Sequence, residues 1–214
     1  MTPNEVIEYA RQQYNSLNDD FFSDSELYRH IYQAEMQLAI QTNCIRNVYT
    51  ASTVASQQEY TKPTLAISIK RMTYEGNKLY PIDMREDDAL TQSNQSTTVT
   101  GTPQYYYEFG TSFFLRAIPS AVGTLKIFAI CQPDTVSSTS TLGTPVRYHA
   151  SLADYLCSMK AAKDKNFQAA AFHQQKWAAE LNEAKKYERK LLRGDAFGHV
   201  KDEYELPLSV LGSV

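Results

Sequence analysis

Four histidines and two aspartate pairs are the residues of this 214-residue chain with the types for proton transfer or metal ligation. His30, His149, His173 and His199 fall on separate predicted elements, without carboxylates at metal-ligand spacing. Asp19-Asp20 and Asp87-Asp88 are adjacent carboxylates, the residue type that splits acid and nucleophile roles in glycoside hydrolysis. Each pair sits beside a helix start or a turn, where capping accounts for it. Cys44, Cys131 and Cys157 are widely spaced and lack any Cys-x-x-Cys pairing, so they read as free thiols of a reducing cytoplasm. There is no G-x-x-x-x-G-K-[ST], no G-x-G-x-x-G and no G-x-S-x-G. The expectation is a chain with no catalytic residues, no cofactor and no metal.

The elements that would position any site come in a readable order. Thr2-Pro3-Asn4-Glu5 is a capping box with proline at the first helical position, and Val6, Ala10, Tyr14 and Leu17 follow at helical spacing. Ser23 and Glu26 form a second box, and Leu27, Ile31, Ala34, Leu38 and Ile45 extend one stripe. From about Val48 the texture becomes β-rich. Leu65, Ile67 and Ile69 alternate with Ala66, Ser68 and Lys70, and Gly76-Asn77 supplies a tight hairpin turn. A polar loop covers Gln92 to Gly101.

Tyr105 to Phe109 and Ser112 to Arg116 flank Gly110-Thr111 as a second hairpin, and Leu125, Ile127 and Ala129 alternate in the next strand. Both faces of these strands are apolar or aromatic, so one is core and the other needs a cover. After a second polar loop, Asp134 to Gly143, Pro145 opens a helix with the stripe Tyr148, Leu152, Tyr155, Leu156 and Met159. The longest helix follows, with Phe167, Ala170, Gln174, Trp177, Leu181, Ala184, Glu188 and Leu191 facing a partner helix. Its "EAKKYERK" segment reads as a solvated surface.

The fold class expected is α+β: a helical bundle from 1–47 and 145–193, an inserted antiparallel β-meander over 48–144, and an extended tail over 194–214. The tail's "ELPLSVL" is apolar enough to want a partner.

A net charge of -3 argues against general nucleic-acid binding, which needs a cationic face, though it suits a surface that DNA slides past. The fifteen tyrosines suit an interface assembled after folding, and equally a β-rich core. "MTPNEVIEYARQQ" has no basic n-region or apolar h-region, and no apolar run reaches membrane-spanning length. The chain is expected to be soluble and made in the cytoplasm.

The order "QQEYTKP", "KRMTYEGNKLYPI", "TGTPQYYYEFGTSFFLRAIPSAVGTLKI", "TPVRYHASLADYL" and a helix after "KDKN" resembles the head-tail adaptor (connector) proteins of tailed bacteriophages. The resemblance covers Thr2 to Arg193 and rests on the order and spacing of these phrases together. It implies a virion structural protein at the portal-tail junction, one subunit of a ring, commonly twelve-fold, docked under the portal protein. Such a ring extends the DNA channel without specific DNA binding, has no membrane contact, and presents a platform to tail or nozzle proteins. The candidate partner interface is Tyr105, Tyr106, Tyr107, Phe109, Phe113 and Phe114 on the hairpin. On the tail it is Phe197, Tyr204, Leu206, Pro207, Leu208, Val210 and Leu211. Two alternatives stay open: a virion-associated peptidoglycan hydrolase acting through a carboxylate pair, and a carbohydrate-binding module using the aromatic strands.

Overall fold

The computed structural model describes residues 1–14, 22–87 and 99–193. Helix α1 (Pro3–Gln13) starts with the expected reciprocal cap. The Thr2 hydroxyl accepts the Glu5 N–H at 3.2 Å, and the Glu5 carboxylate accepts the Thr2 N–H at 2.9 Å. Helix α2 (Asp24–Thr42) has only half of its box. Ser23 accepts the Glu26 N–H at 3.3 Å, whereas the Glu26 carboxylate pairs with Lys163 at 2.8 Å. Asn43, at φ 57°, closes α2 in the left-handed conformation. Ile45 is therefore buried at the entrance to the sheet and is not on the helical stripe.

A 3-10 turn (Val146–Tyr148) leads into α3 (His149–Lys163), and α4 (Phe167–Arg193) returns along it. Helices α1, α2 and α4 all pack on α3, so α3 is buried on most sides. Its buried hydroxyls are satisfied locally: Ser151 donates to the Tyr148 carbonyl and Ser158 to that of Tyr155, both at 2.7 Å. Helix α4 buries Trp177, Leu181 and Ala184 at the expected spacing. Phe167 departs from that stripe; it opens α4 outside the contact with α3 and is 72% exposed.

The strands are β1 (Arg46–Ser52), β2 (Glu59–Thr61), β3 (Ala66–Tyr74), β4 (Asn77–Pro81), β5 (Thr100–Gly101), β6 (Tyr105–Phe109), β7 (Ser112–Arg116), β8 (Ile118–Pro119) and β9 (Thr124–Cys131). Seven of them form one sheet in the order β1-β9-β3-β4-β6-β7-β2, and β5 pairs with β8 separately. This overturns the expected helical bundle with an inserted antiparallel meander. The last strand, β9, inserts between β1 and β3, antiparallel to both, and β4 runs parallel to β6 through Tyr80 and Tyr105. A large mixed sheet, and not a hairpin series on a bundle, is the body of the fold.

The sheet must curl. Its edges β1 and β2 are consecutive in the chain, yet a flat seven-stranded sheet is about 29 Å across at ~4.8 Å per strand. Residues 53–58 reach only about 20–22 Å even when fully extended, and they turn at Ala55-Ser56. They stay attached as they cross: Thr53 N–H donates to the Gly123 carbonyl, and Ser56 N–H to that of Pro119.

Two register shifts interrupt β3 against β9, at Ala66/Ser68 and Ile69/Arg71. Each bulge breaks the period-two alternation, so Ile67 is exposed while Ile69 is core. The β3–β4 turn sits one residue earlier than the expected Gly76-Asn77. Glu75 and Gly76 take the positive φ values of 48° and 82°, and Asn77 already pairs with Tyr74. One contiguous core joins the helices to the inner face of the sheet, from Val6 and Leu156 to Met72 and Leu115. Leu17, Asp19, Asp20, Asp88, residues 92–98 and the expected tail over 194–214 lie outside the described residues.

Candidate interaction surfaces

The β6–β7 hairpin sorts its aromatics by register. Tyr106 stands opposite Leu115 and Glu108 opposite Phe113 on the inner face, whereas Tyr107 stands opposite Phe114 and Phe109 opposite Ser112 on the outer face. Tyr106, Phe113 and Leu115 are accordingly core residues, and burial pushes the Tyr106 phenol up to about 12. Phe113 stacks on Tyr60 with ring centroids 5.6 Å apart. Glu108 is anchored at the rim, pairing with Lys62 at 2.9 Å and accepting the Ile69 N–H at 3.2 Å.

The outer face carries the surface. Tyr107 and Phe114 stack face to face at 4.9 Å and 6°, a cross-strand pair that holds a flat aromatic plane. Tyr105 lies beside Tyr80 of the parallel neighbour β4 at 6.3 Å, and Lys78 caps the Tyr80 ring at 5.0 Å. Phe109, at the turn, is 61% exposed, and Tyr80 is 54% exposed. Of the hairpin residues named from the sequence, Tyr105, Tyr107, Phe109 and Phe114 thus share this surface. Tyr106 and Phe113 support it from within. Phe197, Tyr204, Leu206, Pro207, Leu208, Val210 and Leu211 lie outside the described residues.

A second surface lies on the outer side of β1, β9 and β3. Val48 opposes Phe128, which opposes Arg71, and Arg46 opposes Ile130. Arg46, Val48, Lys70, Phe128 and Ile130 border an apolar groove of about 170 Å³. The Arg71 guanidinium sits 5.4 Å over the Phe128 ring. Val48 is 59% exposed, and β1 is an edge strand with nearly every residue open to solvent.

The groove is fixed at one end by a buried acid, Glu188, which the helical spacing placed on the packed stripe while the charged run around it read as solvated. Glu188 is 1% exposed. Its carboxylate accepts from Arg46 at 2.6 Å, Arg147 at 2.8 Å and the Tyr148 hydroxyl at 2.7 Å. This node ties the end of α4 to β1 and to the turn before α3. Burial, and then the hydrogen bond to Glu188, hold the Tyr148 phenol far above its ordinary value. The available signal was spacing: Glu188 continues the Trp177, Leu181, Ala184 stripe.

The described titratable groups do not converge on a cleft. Glu35 is fully buried and accepts the Thr144 N–H at 3.0 Å and its hydroxyl at 2.8 Å, while His149 Nε2 donates to the Thr144 carbonyl at 2.8 Å. Burial raises the Glu35 carboxyl and lowers the His149 imidazole, and both groups act as struts of the 144 segment. Asp154 is buried between His173 at 3.3 Å and Lys176 at 2.9 Å. His30 faces Gln33, and Asp87 pairs with Arg116. Among the described residues no three His, Cys, Asp or Glu groups gather as a metal site, and no helix is long and apolar enough to cross a membrane.

Both surfaces offer contact area. One is a supported aromatic plane, the other a cation-edged apolar groove beside an open strand edge. No curated protein matches the chain. The family model described as SU10 adaptor protein matches residues 1–197, in agreement with the resemblance to phage head-tail adaptors read from the motif order. With nearly its whole length matched, the chain belongs to the SU10 adaptor protein family.

Proposed function

We propose that the chain is a structural subunit of a ring that joins the portal vertex of a phage head to its tail and extends the DNA channel. The observation that carries this reading is the adaptor-family match along residues 1–197. The supported aromatic plane of Tyr80, Tyr105, Tyr107 and Phe114 favours it: such a plane offers rigid area at low entropic cost to a neighbouring subunit or a tail protein. A closed ring needs two different complementary patches per subunit, and the aromatic plane and the β1 groove lie on separate strands of the sheet. The tail residues Phe197 to Leu211 dock on the portal or on a neighbouring subunit, and DNA passes through the lumen without specific contacts. A twelve-fold ring is the stoichiometry expected.

The test is assembly. Tyr107→Ser/Phe114→Ser strips the outer plane without touching the core. The variant chain should remain folded, at a modest cost in its unfolding midpoint, and fail to add to purified tailless heads in sedimentation. Normal incorporation would remove the plane from the interface. No specific observation favours the hydrolase or the carbohydrate-binding alternative.

A further inference from the structure

We propose that the outer face of β9, β3 and β4 binds the phosphate backbone of duplex DNA without reading its sequence. This deepens the assembly reading, and rests on it for how the face meets DNA; the surface itself follows from register and charge.

Register builds the face. Lys126 of β9 stands opposite Thr73 of β3, and Thr73 stands opposite Lys78 of β4. Two residues back along β3, Arg71 stands opposite Phe128, with Lys70 in the register shift between Ile69 and Arg71. Leu125, Ile127, Met72 and Leu79 are core residues, so the alternation of each strand turns Lys126, Arg71 and Lys78 outward. All four cations are exposed. Lys126 and Lys78 are two strands apart, ~10 Å at ~4.8 Å per step, and Arg71 lies ~7 Å along β3 from the row they share.

These charges are not neutralised within the chain. Among the described residues none of Lys70, Arg71, Lys78 and Lys126 pairs with a carboxylate, whereas Arg46, Lys62, Arg147 and Lys176 each do. The acid of the adjoining β3–β4 turn, Glu75, is engaged by the Thr124 N–H. The net charge of -3 therefore conceals a local cationic face, the feature whose absence from the composition argued against nucleic-acid binding.

The spacing and the rings favour a phosphate backbone over an acidic protein. Arg71 sits 5.4 Å over Phe128 and Lys78 sits 5.0 Å over Tyr80, so each ring carries a cation on one face and positive charge dominates the patch. A protein partner mixes signs and needs apolar contact at its centre. Duplex DNA carries a negative charge every ~1.7 Å of its axis, so a patch ~10 Å across meets several phosphates at once. Contacts of this kind position a duplex and carry no sequence information.

Fluorescence anisotropy of a short labelled duplex with the full chain tests this. Four phosphate contacts give log Kobs against log salt a slope of about -3 to -4. Lys78→Gln/Lys126→Gln should weaken binding more than ~10-fold at low salt and make the slope shallower by ~2, alike for two unrelated duplex sequences. Lys186→Gln/Lys190→Gln, at exposed positions of α4, should change neither. No binding by the parent at low salt overturns the proposal, as does an equal loss in the α4 variant. Displacement of the duplex by poly-L-glutamate at equal charge concentration overturns it too, since the face then suits an acidic protein. None of these results touches the assembly reading, which stands or falls on incorporation into heads.

Discussion

Glu188→Gln isolates the node that joins α4, β1 and the turn before α3. Both carboxylate oxygens are engaged, and the acid is 1% exposed. The substituted amide keeps one acceptor oxygen and turns the other position into an N–H donor aimed at an arginine. Breaking a fully buried ion pair costs about 3–5 kcal/mol. Here Arg46 and Arg147 are 37% and 43% exposed, so water rehydrates them and discounts that figure. The Tyr148 hydroxyl is buried and gains no such relief; leaving it poorly paired costs about 1–3 kcal/mol. The net expectation is a loss of about 2–3 kcal/mol. Urea unfolding reads it as a midpoint lowered by about 1 M, at a slope of ~2–3 kcal/mol per M for a chain of this size. Glu183→Gln, at a residue 72% exposed and paired at the surface with Lys186, should shift nothing and serves as the control. A Glu188→Gln midpoint within error of the parent would refute the reasoning that this acid is a structural tie.

Other expectations follow from the same geometry. Phe113→Ala, at 0% exposure and stacked on Tyr60, should cost about 3–5 kcal/mol in the same unfolding assay, whereas Phe114→Ala on the outer face should cost under about 1.5 kcal/mol. Glu35 has a folded-state pKa raised by burial, so its contribution is fully present below the unfolded value of about 4.5 and is lost as pH rises through the folded value. Glu35→Gln should therefore gain stability relative to the parent as pH climbs above that range, measured as the difference in unfolding free energy at each pH. Burial pushes the Cys44 thiol up to about 11 and the Cys157 thiol to about 12, and Cys131 is buried as well. Iodoacetamide at pH 8 should leave all three thiols unlabelled in the native chain and label them once urea unfolds it.

What could be read from the sequence was local. The Thr2/Glu5 box, the Gly110-Thr111 hairpin and the alternation of Leu125, Ile127 and Ala129 each depend on residues within one turn or one strand, and each is present. The sheet order depends on partners far apart. Arg46 meets Ile130 and Tyr80 meets Tyr105 in parallel, and no short-range pattern encodes either pairing. The bulges in β3 explain why Ile67 faces out although its alternation was regular. At the surface, composition located the aromatics but left their faces open; register alone separates Tyr106 from Tyr105 and Tyr107. Glu188 sits within a charged run, and only its place on the buried stripe distinguishes it from solvated neighbours.

The proposed ring is tested most directly by the native mass of the purified chain, alone and mixed with the portal protein of the same phage. The expected result is a monomer or small oligomer alone and a stoichiometric ring, twelve-fold where the portal is twelve-fold, only on the portal. A chain that stays unassociated with the portal at every salt concentration would contradict it.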